Sequence, residues 1–364
     1  MKKKSKLQLI QEKTQLAINN TNKNIEILGK NTNELYISLN SIQEHFDKIR
    51  NIPSDKMLEY EKIKKIRLEW KQQAQKIEED YKNNVIKDAS AGVLGTGVGI
   101  TVVTMGPTIA MGVATTFGVA STGTAISTLS GAAATNAALA WLGGGALATG
   151  GGGMVAGEAF LTLAGPAGWA IAGITLATSG LLFWKNKRNQ NHIENIFSII
   201  GERDIKSYEL AIVELNERTS RIIDENGKLN DAIERIKEFG TDYNKMHESQ
   251  QYEIGAYVNL MLASTQLLVN PIKGLSPKYN EEDFARFSEN KDDIIKNNKN
   301  LIISLANFLY KIELAENDKA LLHKKLRKNK EMLKSLNVTK KDFSIDLFNK
   351  IFDALEEKYN SEEK

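Results

Sequence analysis

The chain has 364 residues, an apolar fraction of 41% and a formal net charge of +3, enough for one large or two ordinary domains. So small an excess argues against a nucleic-acid coat, which needs clustered Lys and Arg on one surface, and no nucleic-acid partner is expected. The absence of cysteine excludes disulfide frameworks, thiolate zinc sites and cysteine nucleophiles.

The basic start, Met1 to Lys6, is followed by Leu7 to Lys13, where Gln, Glu and Lys interrupt any apolar run. No cleavable signal is expected, so the chain is predicted to be made and kept in the cytoplasm or to leave without such a peptide.

Residues 1–88 read as a helical arm. Ile18, Thr21, Ile25, Leu28, Thr32, Leu35, Leu39, Ile42, Phe46 and Ile49 step by three and four, the pattern of a heptad seam. Asn51-Ile52-Pro53-Ser54-Asp55 breaks it, because proline restricts its predecessor and Ser and Asp are good helix caps. A second helix is predicted from there through Trp70 to about Lys87.

Residues 89–184 are of a different kind, with one formal charge, Glu158, and 21 of the 27 glycines. Small residues recur at every fourth position: Ala91, Gly95 and Gly99; Ala110, Ala114 and Gly118; Gly153 and Gly157; Ala164, Gly168 and Ala172. Such ladders let helices approach closely in lipid, whereas this much glycine weakens a helix in water. Breaks are predicted at Gly106-Pro107, Gly143 to Gly153 and Gly165-Pro166, and only the first and last pieces approach the ~20 residues of one span. Lys82 and Lys87 before the segment, and Lys185, Lys187 and Arg188 after it, predict two or four crossings, with both flanks on the cytoplasmic side. Trp169 and Trp184 suit an interfacial belt.

The segment holds 25 Leu, Ile, Val and Phe residues. At roughly 0.3 to 0.6 kcal/mol each they favour insertion by on the order of 10 kcal/mol, against which Glu158 costs about 3 kcal/mol. Insertion is thus marginal, as conditional entry into a bilayer requires. Thr101, Thr104, Thr108, Thr115 and Thr122 share one helical face. They would either line a pore or bond back to their own helix carbonyls. Glu158 is a pore-facing, switching or buried structural carboxyl. A soluble alternative hides the segment inside the helices, although Gly and Ala bury little area there.

Residues 185–364 resume charged helical periodicity. Tyr208, Ile212, Leu215, Thr219, Ile222, Asn226, Leu229, Ile233 and Ile236 form a second seam, in which Asn226 would fix the register. Further helices are predicted over Tyr243 to Val269, Leu301 to Tyr310, Ala320 to Leu336 and Phe343 to Tyr359, with a loop from Asn270 to Lys278.

Catalytic signals are weak. Gly143 to Ala148 and Gly151 to Ala156 fit G-x-G-x-x-A, but no strand precedes them and no acidic residue follows at the ribose distance. His45, His192, His247 and His323 lack a second histidine at metal-ligand spacing. No cofactor is expected and an enzyme is not expected.

The order of charged helical arm, uncharged Gly/Ala-rich segment from Ala89 to Trp184 and second arm resembles the α-helical pore-forming toxins of the cytolysin A and haemolysin BL type. Helical spacing outside the segment predicts an elongated all-α protein whose arms form a helical bundle within one chain or a coiled coil between chains. The resemblance implies that the protein packs its apolar segment away, then inserts it and homo-oligomerises in a lipid bilayer. Without a signal, it implies an effector against its own cell's membrane, as in phage defence. The alternative is a constitutively anchored scaffold whose arms recruit protein partners without forming a pore.

Overall fold

The computed structural model describes residues 6–90, 107–117, 187–275, 278–328, 333 and 338–363, and among these the protein is all-α, with no strand. Its long helices are α1 (Lys6–Phe46), α2 (Ser54–Ser90), α4 (Lys187–Ile236) and α5 (Glu248–Val269). The short helix α3 (Pro107–Phe117) lies among them. Smaller helices follow as α6 (Glu281–Ser288), α7 (Asp293–Asn297), α8 (Lys299–Leu309), α9 (Glu316–Leu326) and α10 (Ile345–Glu362).

In α1 the predicted seam is the buried face: Thr21, Ile25, Leu28, Thr32, Leu35, Leu39, Ile42 and Phe46 are all buried, as is Ile49 just beyond. Its main neighbour is α4. Ile10 lies against Gly201, the Ser38 hydroxyl donates to Asn230 Oδ1 at 3.1 Å, and the Arg50 N–H donates to the Thr241 carbonyl at 3.0 Å. The two helices therefore run side by side in the same direction. In α4 the seam buries Tyr208, Leu215, Ile222, Leu229, Ile233 and Ile236, while Asn226 is only half-buried and its Oδ1 accepts no hydrogen bond. A polar contact between α1 and α4 falls instead on Asn230, one helical turn on.

Both remaining long helices run back against this pair. Asn51 turns the chain with a left-handed backbone (φ 64°), and Pro53 leads into α2. The Tyr60 hydroxyl then donates to Asp47 at 2.5 Å, its ring packs on Phe46, and Trp70 packs on Tyr36. Arg67 is buried and donates to Gln43 Oε1. Similarly α5 runs against α4, with Arg218 donating to the carbonyls of Leu267 and Asn270 at 2.8 and 2.7 Å. The two reversing loops bond to each other where Tyr243 N–H returns to the Arg50 carbonyl and Asn51 donates to Asp242. They close one end of the long helices.

The helix predicted from Tyr243 starts later, because Asp242 caps a single 3-10 turn at Tyr243–Lys245 before α5 begins. Two short helices, α6 and α7, occupy a stretch for which the sequence pattern predicts no element. The helix predicted to reach Leu336 stops at Leu326, where Arg327 turns and its Nε donates to the Lys340 carbonyl at 2.8 Å.

The small helices gather around the start of α4. Arg203 donates to the carbonyls of Phe308 and Tyr310 at 3.0 and 2.6 Å, satisfying the end of α8. Asn307 receives the N–H groups of Lys278 and Tyr279. Buried Asp283 pairs with Lys358 and Arg286, and His323, Phe343, Phe348 and Phe352 form an aromatic cluster.

Candidate functional site

Helix α3 is the main described piece of the uncharged segment, whose first two residues, Ala89 and Ser90, end α2. It opens at Pro107, as the Gly106-Pro107 break predicts, since the first turn of a helix needs no N–H there. Every residue from Ala110 to Thr116 is buried. Seven consecutive residues cover almost two turns, so the helix is enclosed around its whole circumference. Its walls are α1, α2 and α5.

The closest wall is backbone. A Cβ placed on Gly29 of α1 would sit 2.0 Å from the Thr108 carbonyl oxygen, and one on Gly112 would sit 2.3 Å from the Ile25 carbonyl oxygen. Neither backbone atom is a flexible group that can swing aside, so both positions require glycine. α3 crosses α1 here in the opposite direction, because Thr108 meets Gly29 while Gly112 reaches on to Ile25. Its last turn is tied by the Ile272 N–H, which donates to the Thr116 carbonyl at 2.7 Å.

The enclosure is tight without being richly bonded. The Thr116 hydroxyl donates to its own helix at the Gly112 carbonyl, 2.8 Å away, whereas the buried Thr115 hydroxyl makes no hydrogen bond. On α5, the Ser264 and Thr265 hydroxyls are also buried without a partner. An unmet hydroxyl costs on the order of 1 to 3 kcal/mol in such a place.

One further buried group is electrostatic. Asp204 on α4 is fully enclosed; its Oδ1 accepts from Arg203 at 2.7 and 2.9 Å while Oδ2 accepts nothing. Burial raises its carboxyl to about 6, with the Arg203 charge opposing that shift.

Of the residues singled out from sequence, Thr108, Ala110, Ala114 and Thr115 fall in α3; the last three are buried and Thr108 is half-buried. Thr115 thus faces protein, and the back-bonded threonine is its neighbour Thr116, which lies off the predicted seam. Gly112, the closest contact, lies outside the predicted ladder; its signal is Gly29, the one glycine in α1. Lys187 opens α4, and Arg188 is exposed in its first turn. Gly95, Gly99, Thr101, Thr104, Gly118, Gly153, Gly157, Glu158, Gly168, Trp169, Ala172, Trp184 and Lys185 lie outside the described residues.

Among the described residues no helix is long and apolar enough to cross a membrane, and no cluster of His, Cys, Asp or Glu could hold a metal ion. No family model matches the chain, and no curated protein or solved structure is similar to it.

Proposed function

We propose that this chain is a conditionally membrane-inserting protein, elongated, with coiled-coil arms flanking an apolar segment over residues 89–184. In this reading the segment is held among the arms in water, then enters a bilayer and homo-oligomerises through its small-residue faces to permeabilise it. The carrying observation is α3, a piece of that segment enclosed on every side and seated glycine to glycine on α1. Small residues suit both states: they allow close backbone contact in either solvent, and they bury too little area to make the enclosed state strongly preferred.

A constitutive anchor would keep the same segment in lipid at all times, with no need for a fitted seat in a charged helical protein. The deciding experiment is dye release from liposomes by purified protein, run beside flotation and before and after destabilising treatments. Leakage that appears with exposure of α3 supports permeabilisation. Vesicle binding that never releases dye supports the anchor, and a chain that ignores vesicles throughout removes both. Replacing Gly95 and Gly99 by Leu is expected to abolish leakage.

A further inference from the structure

The segment from Lys319 to Lys341 carries nine basic residues and one acidic residue, Glu331, so its own net charge exceeds that of the whole chain. The fold gathers much of this charge in one place. α9 presents exposed Lys324 and half-buried Arg327 near its end, and Lys328 follows, also exposed. The Arg327 Nε donates to the Lys340 carbonyl at 2.8 Å, which brings exposed Lys340 and Lys341 back against the same helix end.

Lys324 and Lys328 have interactions of their own within the protein, so the cluster attracts anions by its surplus of charge and not by unpaired groups. Three carboxylates of the region are engaged in fixing the structure. Asp318 accepts from His192 at 3.0 Å, Glu316 pairs with Lys319 at 2.6 Å, and Asp342 accepts from Thr339 within the turn. Burial, with Lys328 adding repulsion, brings the Lys325 amine down to about 8.

Position gives the cluster its significance. The contact between His192 and Asp318 fastens α9 to α4 five residues past Lys187, about 7 Å of helix from the point where the uncharged segment rejoins the described fold. α2 also runs away from the loop-closed end, so both flanks of that segment lead toward the opposite end of the long helices.

We infer that Lys324, Arg327 and Lys328, together with Lys340 and Lys341 of the returning turn, form a docking surface for the anionic headgroups of a bilayer. This rests on the membrane-inserting reading above and adds to it a partner chemistry and an orientation: the molecule meets an anionic leaflet with the end from which its apolar segment emerges. A basic residue close to an anionic leaflet strengthens binding by about fivefold, so a cluster of this size is enough for reversible, salt-sensitive attachment ahead of any insertion.

The test uses the full chain, vesicles of phosphatidylglycerol with phosphatidylcholine, and vesicles of phosphatidylcholine alone. Binding is expected on the anionic vesicles and is expected to fall with added salt. The combined variant Lys324→Gln, Lys328→Gln, Lys340→Gln, Lys341→Gln should lose on the order of several hundredfold in that binding, and the same four positions changed to Arg should retain it. Unchanged melting of both variants shows that the fold is intact. Anionic-vesicle binding by the Gln variant at wild-type strength overturns the proposal. So does a wild-type chain that binds duplex DNA in a salt-dependent way and ignores anionic vesicles. Dye release is read separately: charge-dependent binding without leakage keeps the docking surface and removes permeabilisation, while leakage with charge-independent binding does the reverse.

Discussion

The seat of α3 and the cluster of small helices are both buried, but they are held by different means. Among the described side chains of α3, Ala110, Met111, Val113, Ala114, Thr115 and Thr116 are buried, with glycine at the closest crossing. Removing their apolar atoms from water favours that seat by on the order of 5 kcal/mol, part of which the unmet Thr115 hydroxyl offsets. The small helices bury Phe343, Leu347, Phe348 and Ile351 against one another, with Asp283 paired to Lys358. Those four side chains alone favour burial by about 10 kcal/mol. Tight geometry and strong attachment are therefore separate properties, and the described side chains of α3 supply more of the first than of the second.

The largest test of that contrast is Phe348→Ala. Phe348 is fully buried between His323, Phe343 and Phe352, so truncation should cost about 3 to 5 kcal/mol in chemical denaturation. A cost below about 1 kcal/mol would mean that the cluster is not the anchor of the small helices. Next comes Gly29→Ala, where the new methyl meets the Thr108 carbonyl. Overpacking of this kind costs about 1 to 3 kcal/mol, and here it can be relieved by α3 leaving its seat. Hydrogen exchange should therefore accelerate at the amides of Ala110 to Thr116 while those of α10 keep their protection. Equal acceleration in both regions would show that the seat and the small helices open as one unit.

Asp204 sharpens the comparison through pH. Its carboxyl lies near 6 when folded and at 3.8 in its ordinary state, so the folded protein binds the extra proton. Stability from this group is present at low pH and is lost as pH rises through 6. Between about pH 7.5 and 4.5 the wild type should gain about 2 kcal/mol that Asp204→Asn does not gain. Parallel pH profiles for the two proteins would show that Asp204 keeps its charge or sheds it equally in both states.

Helical period is legible because it is local: spacing alone assigns Thr21 to Ile49 to one seam, and every seam residue in that range is buried. Direction is not legible, since a period of three and four reads the same for parallel and antiparallel neighbours; only contacts such as Ser38 with Asn230 establish that α1 and α4 run together. For the same reason Asn226 reads as the register residue although the bond is made at Asn230. The pairing of Gly29 with Gly112 joins positions 83 residues apart, and neither glycine is distinctive without the other. The basic cluster is hidden by averaging, because Glu356, Glu357, Glu362 and Glu363 near the chain's end offset it in the net charge.

The smallest expected effect isolates the cause of the others. Gly227 lies in α4, exposed, and a Cβ placed there would meet nothing within 4 Å. Alanine at a helical position restricts the unfolded chain more than glycine does, so Gly227→Ala should stabilise the protein by about 0.5 to 1 kcal/mol. The same substitution at Gly29 should act in the opposite direction, although both glycines sit inside long helices. A shared sign at the two positions would mean that helix propensity outweighs contact at Gly29, and the glycine seat of α3 would then have no special claim to be a point of release.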